Sequence, residues 1–234
     1  MVDRFEPHTA GIAGRLNWLR AGVLGANDGI ISTAGLVIGV AAATTDSAEI
    51  ATAGLAGLVA GAVSMALGEY VSVSTQRDTE RALIEIERGE LASMPEAEHE
   101  ELVGLLRERG LGEDIAIKAA TELADHDVLG AHLSIELGID ESQIANPWTA
   151  AASSALAFAL GAALPLVAIL VPPASWRIAI AFVAVLIGLA ITGAWSAHIG
   201  YASKRSAVVR LLVGGALAMA VTYAIGQLIG TAVA

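Results

Sequence analysis

Residues 21–43 read AGVLGANDGIISTAGLVIGVAAA, an apolar run broken by a single charge, Asp28. A helix of about eighteen or more such residues crosses a hydrocarbon core of about 30 Å, so this stretch reads as a membrane span. Working outward, four more runs of the same kind follow at residues 50–72, 149–171, 178–198 and 208–233. Thr44–Glu49 and Pro172–Trp176 are short connectors with turn chemistry. The polar stretch between the second and third runs is an insert. The expected fold is an all-α membrane protein, with five transmembrane helices and a cytoplasmic three-helix insert between spans two and three. Its expected divisions are residues 1–72, 73–147 and 148–234.

Composition supports that division. Hydrophobic residues make up 55% of the 234, and they lie in blocks at the two ends of the chain. Glycine is frequent, with 25 residues, and small residues let membrane helices approach closely. There is no cysteine, so disulfides and thiolate metal sites are excluded. The first twenty residues carry Asp3, Glu6 and other polar groups and lack the apolar core of a cleavable signal. The first span is therefore expected to be retained.

The charge has one address. The insert holds 18 of the 24 acidic residues and 6 basic ones, a net charge of −12, while the rest of the chain is +1. That sign excludes nucleic acid as a partner and argues against an anionic lipid surface. Cations are the matching partner. With the N-terminus and insert in the cytosol, 12 of the 13 basic residues fall inside and only Arg177 falls outside. Five spans then put the C-terminus outside.

Three helices are expected within the insert. The first continues span two from Ser72 to about Leu91. Ser93-Met94-Pro95-Glu96 has the form of a capping box that opens the second, which ends near Gly110. The third runs from about Glu113 to Leu137 and stops at Gly138. Glu87 with Glu90, and Glu98 with Glu101, are pairs three residues apart, so each pair shares a helix face. Two antiparallel helices could gather all four into a cluster that divalent ions would neutralise. The plain alternative is a solvated acidic face. His132 and Glu136, four apart, could add a nitrogen and an oxygen ligand or simply stabilise their helix. Glu96 and His99 form half of a di-iron pattern whose other half is missing. His126, between Asp125 and Asp127, reads as a surface residue.

The membrane runs contain three further candidates. Asp28 lies inside span one, where a charge costs at least ~2.5 kcal/mol and therefore faces a pathway or a partner. Met65 in span two is followed one turn later by Glu69. A thioether is a soft ligand that suits Fe2+ better than Mg2+. The plain readings are core or lipid packing for Met65 and interfacial snorkelling near a span end for Glu69 and, less readily, for Asp28.

These stretches resemble the vacuolar iron transporter family, in its prokaryotic form, over nearly the whole chain. The likeness is carried by residues 24–33 (LGANDGIIST), 64–74 (SMALGEYVSVS), Gln76-Arg77-Asp78 and residues 212–223 (LVGGALAMAVTY). The resemblance implies a homodimer with five spans per subunit in the lipid bilayer and a cytoplasmic metal-binding domain. It implies export of Fe2+ from the cytosol in exchange for protons. It places the translocation site at Asp28 and Met65 and the cytoplasmic ligands at Glu87, Glu90, Glu98 and Glu101. The family's third insert helix contributes a Met and a Glu. Glu136 matches the Glu, and His132 stands where the Met is expected.

The expected function is therefore transport of Fe2+, with Mn2+ as a second candidate cargo. Protonation of Asp28 or Glu69 would couple release to the proton gradient. No cofactor is expected beyond the transported ion. Two rivals are a membrane-tethered ferroxidase, which needs the full di-iron ligand set, and a membrane-anchored metal store or sensor. The short N-terminal segment points to a prokaryotic plasma membrane, with the vacuolar membrane as the alternative.

Overall fold

The computed structural model describes residues 12–233. The described residues form helices and no strand. In chain order these are α1 (Ile12–Ala43), α2 (Ser47–Ser93), α3 (Pro95–Glu108), α4 (Glu113–His132), α5 (Pro147–Leu170), α6 (Arg177–Ile199) and α7 (Lys204–Val233). A π-helical turn, Leu133–Leu137, follows α4, and a short 3-10 turn, Glu141–Gln143, precedes α5. Residues 1–11, including Asp3, Arg4 and Glu6, lie outside the described part. The described residues divide into two compact units, one made of those up to 71 and from 147 onward, the other of residues 72–146. α2 passes from the first to the second as one uninterrupted helix.

Among the described residues five helices are long and apolar enough to cross a membrane: Ala21–Ala43, Ser47–Ser93, Pro147–Leu170, Arg177–Ile199 and Lys204–Ala232. Their outer surfaces stay apolar. Leu55, Val59, Val63 and Leu67 form an exposed stripe on α2 at a spacing of four. Such faces need a lipid solvent rather than water. The fifth helix begins at Lys204, four residues before the expected Val208, because a helix carries its basic first turn past the apolar run. α1 lies at the centre, packed on α5, α6 and α7. Its Val37 and Ile38 share a core with Ile169, Leu189 and Met219, all nearly inaccessible.

Small residues set the closeness of that packing. A Cβ at Gly29 would collide with the Phe158 carbonyl oxygen, and one at Gly161 would collide with that of Ala26. α1 and α5 thus meet backbone to backbone, as membrane helices with small interfacial residues do. The α1–α2 connector is held by Arg177, whose guanidinium donates to Ser47 Oγ (3.0 Å) and the Thr45 carbonyl (3.4 Å). The Tyr70 and Trp148 rings pack at 4.7 Å between centroids with their planes tilted by 52°, an amphipathic pair of the kind that marks a membrane–water boundary.

In the second unit, α3 and α4 pack through Leu102, Leu106, Ala116 and Ala120. The expected capping box does not form. Met94 takes the cap position, Pro95 fills the first turn, and Ser93 Oγ turns back to donate to the Gly89 carbonyl (2.8 Å). Ser93 is the last residue of α2, so its hydroxyl finds a carbonyl one turn behind it before it can serve the next helix. The third insert helix is also not a single rod. Asp127 leaves helical geometry (φ −161°, ψ 89°), and its Oδ1 accepts from the Gly130 N–H (3.0 Å), which starts a second helical segment. That segment widens into the π turn and ends at Gly138, in the left-handed conformation (φ 65°).

Candidate metal centres

Three helical segments of the second unit bring their acidic and imidazole groups to one buried focus. α2 supplies Glu87, α3 supplies Glu98, and the end of α4 supplies His132, with ligand atoms all within 4.8 Å of one another. The exposures of the three residues are 2%, 6% and 0%. Nδ1 of His132 lies 3.0 Å from Glu87 Oε1, 3.4 Å from Glu136 Oε2 and 3.7 Å from Glu98 Oε2. Among the described residues, Glu87 Oε1 is close to the ring nitrogen but makes no hydrogen bond, and Nε2 has no partner either.

Two carboxylates and a ring without enough hydrogen bonds are costly to bury. Desolvation raises the Glu87 carboxyl above the ordinary glutamate range; Glu136, Glu98 and Glu90 raise it further, and His132 opposes them. Glu98 is raised for the same first reason, then by Glu101, Glu90 and Glu136, again against His132. A divalent cation would supply the positive charge that this focus lacks, and nitrogen and carboxylate oxygens fit its coordination.

The expected Glu pairs are divided by this geometry. Glu87 and Glu98 face inward, Glu90 is half-buried, and Glu101 is exposed, close enough to act on Glu98 through its charge. Glu136 is half-buried beside the ring. The π turn, with its wider backbone hydrogen-bond spacing, directly follows His132 and carries Glu136. Arg109, at the end of α3, donates to the Ile135 carbonyl within that turn. Neither the turn nor Arg109 has a sequence signal that would have revealed it. His126 is exposed, and Glu96 and His99 lie outside the focus.

The first unit contains a cavity of about 220 Å3 lined by Asp28, Ser32, Thr33, Leu36, Gly57, Gly61, Ser64, Met65 and Phe158. Asp28 and Met65, on different helices, thus open onto one space. At about 30 Å3 per liquid water, a cation there could keep part of its hydration shell. The Thr33 hydroxyl is buried with no hydrogen-bond partner among the described residues, so an oxygen with free lone pairs joins the carboxylate and the thioether. Asn27 points elsewhere and accepts from Thr192 Oγ1 (2.7 Å). Glu69 is partly buried one turn further along α2 and does not line the cavity. Gly57 and Gly61 leave room for α1 and Phe158, and their four-residue spacing could have been read in the sequence as a helix-approach face.

These features define a class: a polytopic α-helical membrane protein with acidic groups inside its membrane unit. The model of the VIT family matches residues 19–227. The chain is 44% identical over 221 residues to the vacuolar iron transporter of Acanthamoeba castellanii, covering 94% of this chain and 80% of that one. It is 42% identical over 217 residues to vacuolar iron transporter homolog 1 of Oryza sativa subsp. japonica, covering 92% and 75%. With Arabidopsis thaliana vacuolar iron transporter homolog 1 it shares 38% over 218 residues, covering 93% and 86%. The chain belongs to the VIT family.

Proposed function

We propose that this chain is a secondary transporter that moves Fe2+ out of the cytosol, with Mn2+ as a second cargo, as protons enter. The observation that carries this reading is the single cavity shared by Asp28 and Met65. The Asp28 carboxylate offsets the charge of an ion that has shed part of its water, and the Met65 sulfur favours a transition ion over Mg2+. Protonation of Asp28 or Glu69 removes negative charge and releases the ion. The helices rock about this site, opening it to one side at a time.

The insert is cytosolic in this reading, and its net charge of −12 gathers cations. Glu87, Glu98 and His132 hold the ion, with Glu136, Glu90 and Glu101 around them. The distribution of basic residues supports this orientation, with the C-terminus outside. Two copies form a homodimer in the bilayer of a prokaryotic plasma membrane, or alternatively of a vacuole. Names of relatives as vacuolar iron transporters support iron as the cargo. Such transport makes and breaks no covalent bond, so no catalytic residue is assigned.

The test is reconstitution into liposomes with an interior pH probe. With the cytosolic face outward, added Fe2+ should enter and the lumen should become more alkaline. Flux without proton movement would remove the exchange step. Binding without flux would identify an anchored store.

A further inference from the structure

The buried cluster of the second unit poses a selection problem that negative charge does not solve. Carboxylates alone take hard ions, and Mg2+ and Ca2+ are well served by oxygen. An all-carboxylate centre would therefore admit them. The cluster contains one donor of a different kind. His132 is fully buried, and its Nδ1 faces Glu87, Glu136 and Glu98 at 3.0, 3.4 and 3.7 Å. The ring is fully buried, with Nδ1 turned toward the three carboxylates. Any cation that settles among these carboxylates meets Nδ1. Nδ1 is the ring nitrogen placed among the carboxylates, while Nε2 has no hydrogen-bond partner among the described residues. Imidazole nitrogen binds Fe2+, Co2+ and Zn2+ well and adds little for Mg2+ or Ca2+.

We propose that His132 determines specificity at this centre, binding through Nδ1 and making it select Fe2+, Co2+ and Zn2+ against Mg2+ and Ca2+. The inference rests on the reading of Glu87 and Glu98 as metal ligands. It deepens that reading by naming the class of ion admitted and the atom that admits it.

The geometry supplies its own test. The amide oxygen of Asn occupies nearly the position of an imidazole Nδ1, whereas that of Gln reaches nearer to Nε2. His132→Asn therefore exchanges nitrogen for oxygen at the ligand position. Full-length protein would be titrated in detergent with Co2+, and with Mg2+ in competition. Asp28→Asn would be present throughout, so that the membrane cavity does not contribute. Co2+ absorption in the visible would report nitrogen ligation, and circular dichroism would report folding. We expect His132→Asn to lower Co2+ affinity by roughly tenfold or more, to leave Mg2+ affinity within about twofold, and to change the Co2+ spectrum. His132→Gln, a second variant if the first fails to fold, should weaken Co2+ binding at least as much. An unchanged Co2+ to Mg2+ ratio and spectrum in a folded variant would overturn the proposal and leave the metal centre standing. Co2+ binding that Glu87→Gln with Glu98→Gln does not weaken would overturn both.

Discussion

Asp127 Oδ1 accepts from the backbone N–H of Gly130 at 3.0 Å, and a Cβ on Gly130 would fall onto that carboxylate. This pair starts the short helical segment that carries His132 and Glu136. Asp127→Ala should cost about 1 kcal/mol of local stability, as lost N-caps do. Gly130→Ala should displace the cap and weaken metal binding by the full-length protein several-fold. Metal titration alongside denaturant unfolding checks this; unchanged affinity in both variants would mean that the cap does not position the ligands.

Arg109 acts on the other end of the same segment, through the Ile135 carbonyl. π-Helical spacing leaves that carbonyl available, and the guanidinium supplies the donor. Arg109→Gln should weaken metal binding a few-fold. The loss should shrink when Glu136→Gln is already present, because Arg109 works by placing Glu136. Additive effects in this double-mutant cycle would count against the link.

Burial raises the Glu87 and Glu98 carboxyls above their ordinary range. Between the ordinary and the raised pKa the folded metal-free protein holds more protons than the unfolded chain, so its stability falls as pH rises through that window. Metal binding runs the opposite way, since only the ionised carboxylates ligate, and affinity should rise with pH through the same window. Glu87→Gln with Glu98→Gln should flatten both profiles. Unfolding midpoints and Co2+ titrations across mildly acidic pH would check the opposed slopes.

Asp28 and Met65 line one cavity and should separate in their effects. Asp28→Asn keeps volume and should fold normally, yet Fe2+ uptake by liposomes should collapse. Met65→Leu conserves volume and should lower Fe2+ flux more than Mn2+ flux, because the lost donor is soft. Parent-like uptake by folded Asp28→Asn would remove Asp28 from the pathway.

The arrangement of basic residues makes a topological prediction. Tags at the N-terminus and within residues 73–147 should be reached only from the cytosol, and a C-terminal tag only from outside. A protease-protection assay in spheroplasts and inverted vesicles would decide it. A cytosolic C-terminus would mean that the orientation, or the number of crossings, differs from five spans entering from inside.

Apolar run length by itself determined the five membrane-length helices, because a span is defined by local composition and needs no partner to be recognised. The same local logic located Asp28, Met65 and the acidic stretch around Glu87, and Gly110 and Gly138 marked where helices end. Tertiary structure decided what local spacing leaves open. Equal three-residue spacing made Glu87 and Glu90 look alike, as it did Glu98 and Glu101. Only the meeting of α2, α3 and the end of α4 buries Glu87 and Glu98 beside His132 while Glu101 stays exposed. The capping box at Ser93 was a local match defeated by a nearer carbonyl at Gly89. The break at Asp127 carries a local hydrogen bond with Gly130, and the π turn after His132 receives Arg109 from the end of α3. Which side chains share a focus is a property of several segments at once: helix periodicity says which residues share a face, and packing alone says what that face meets.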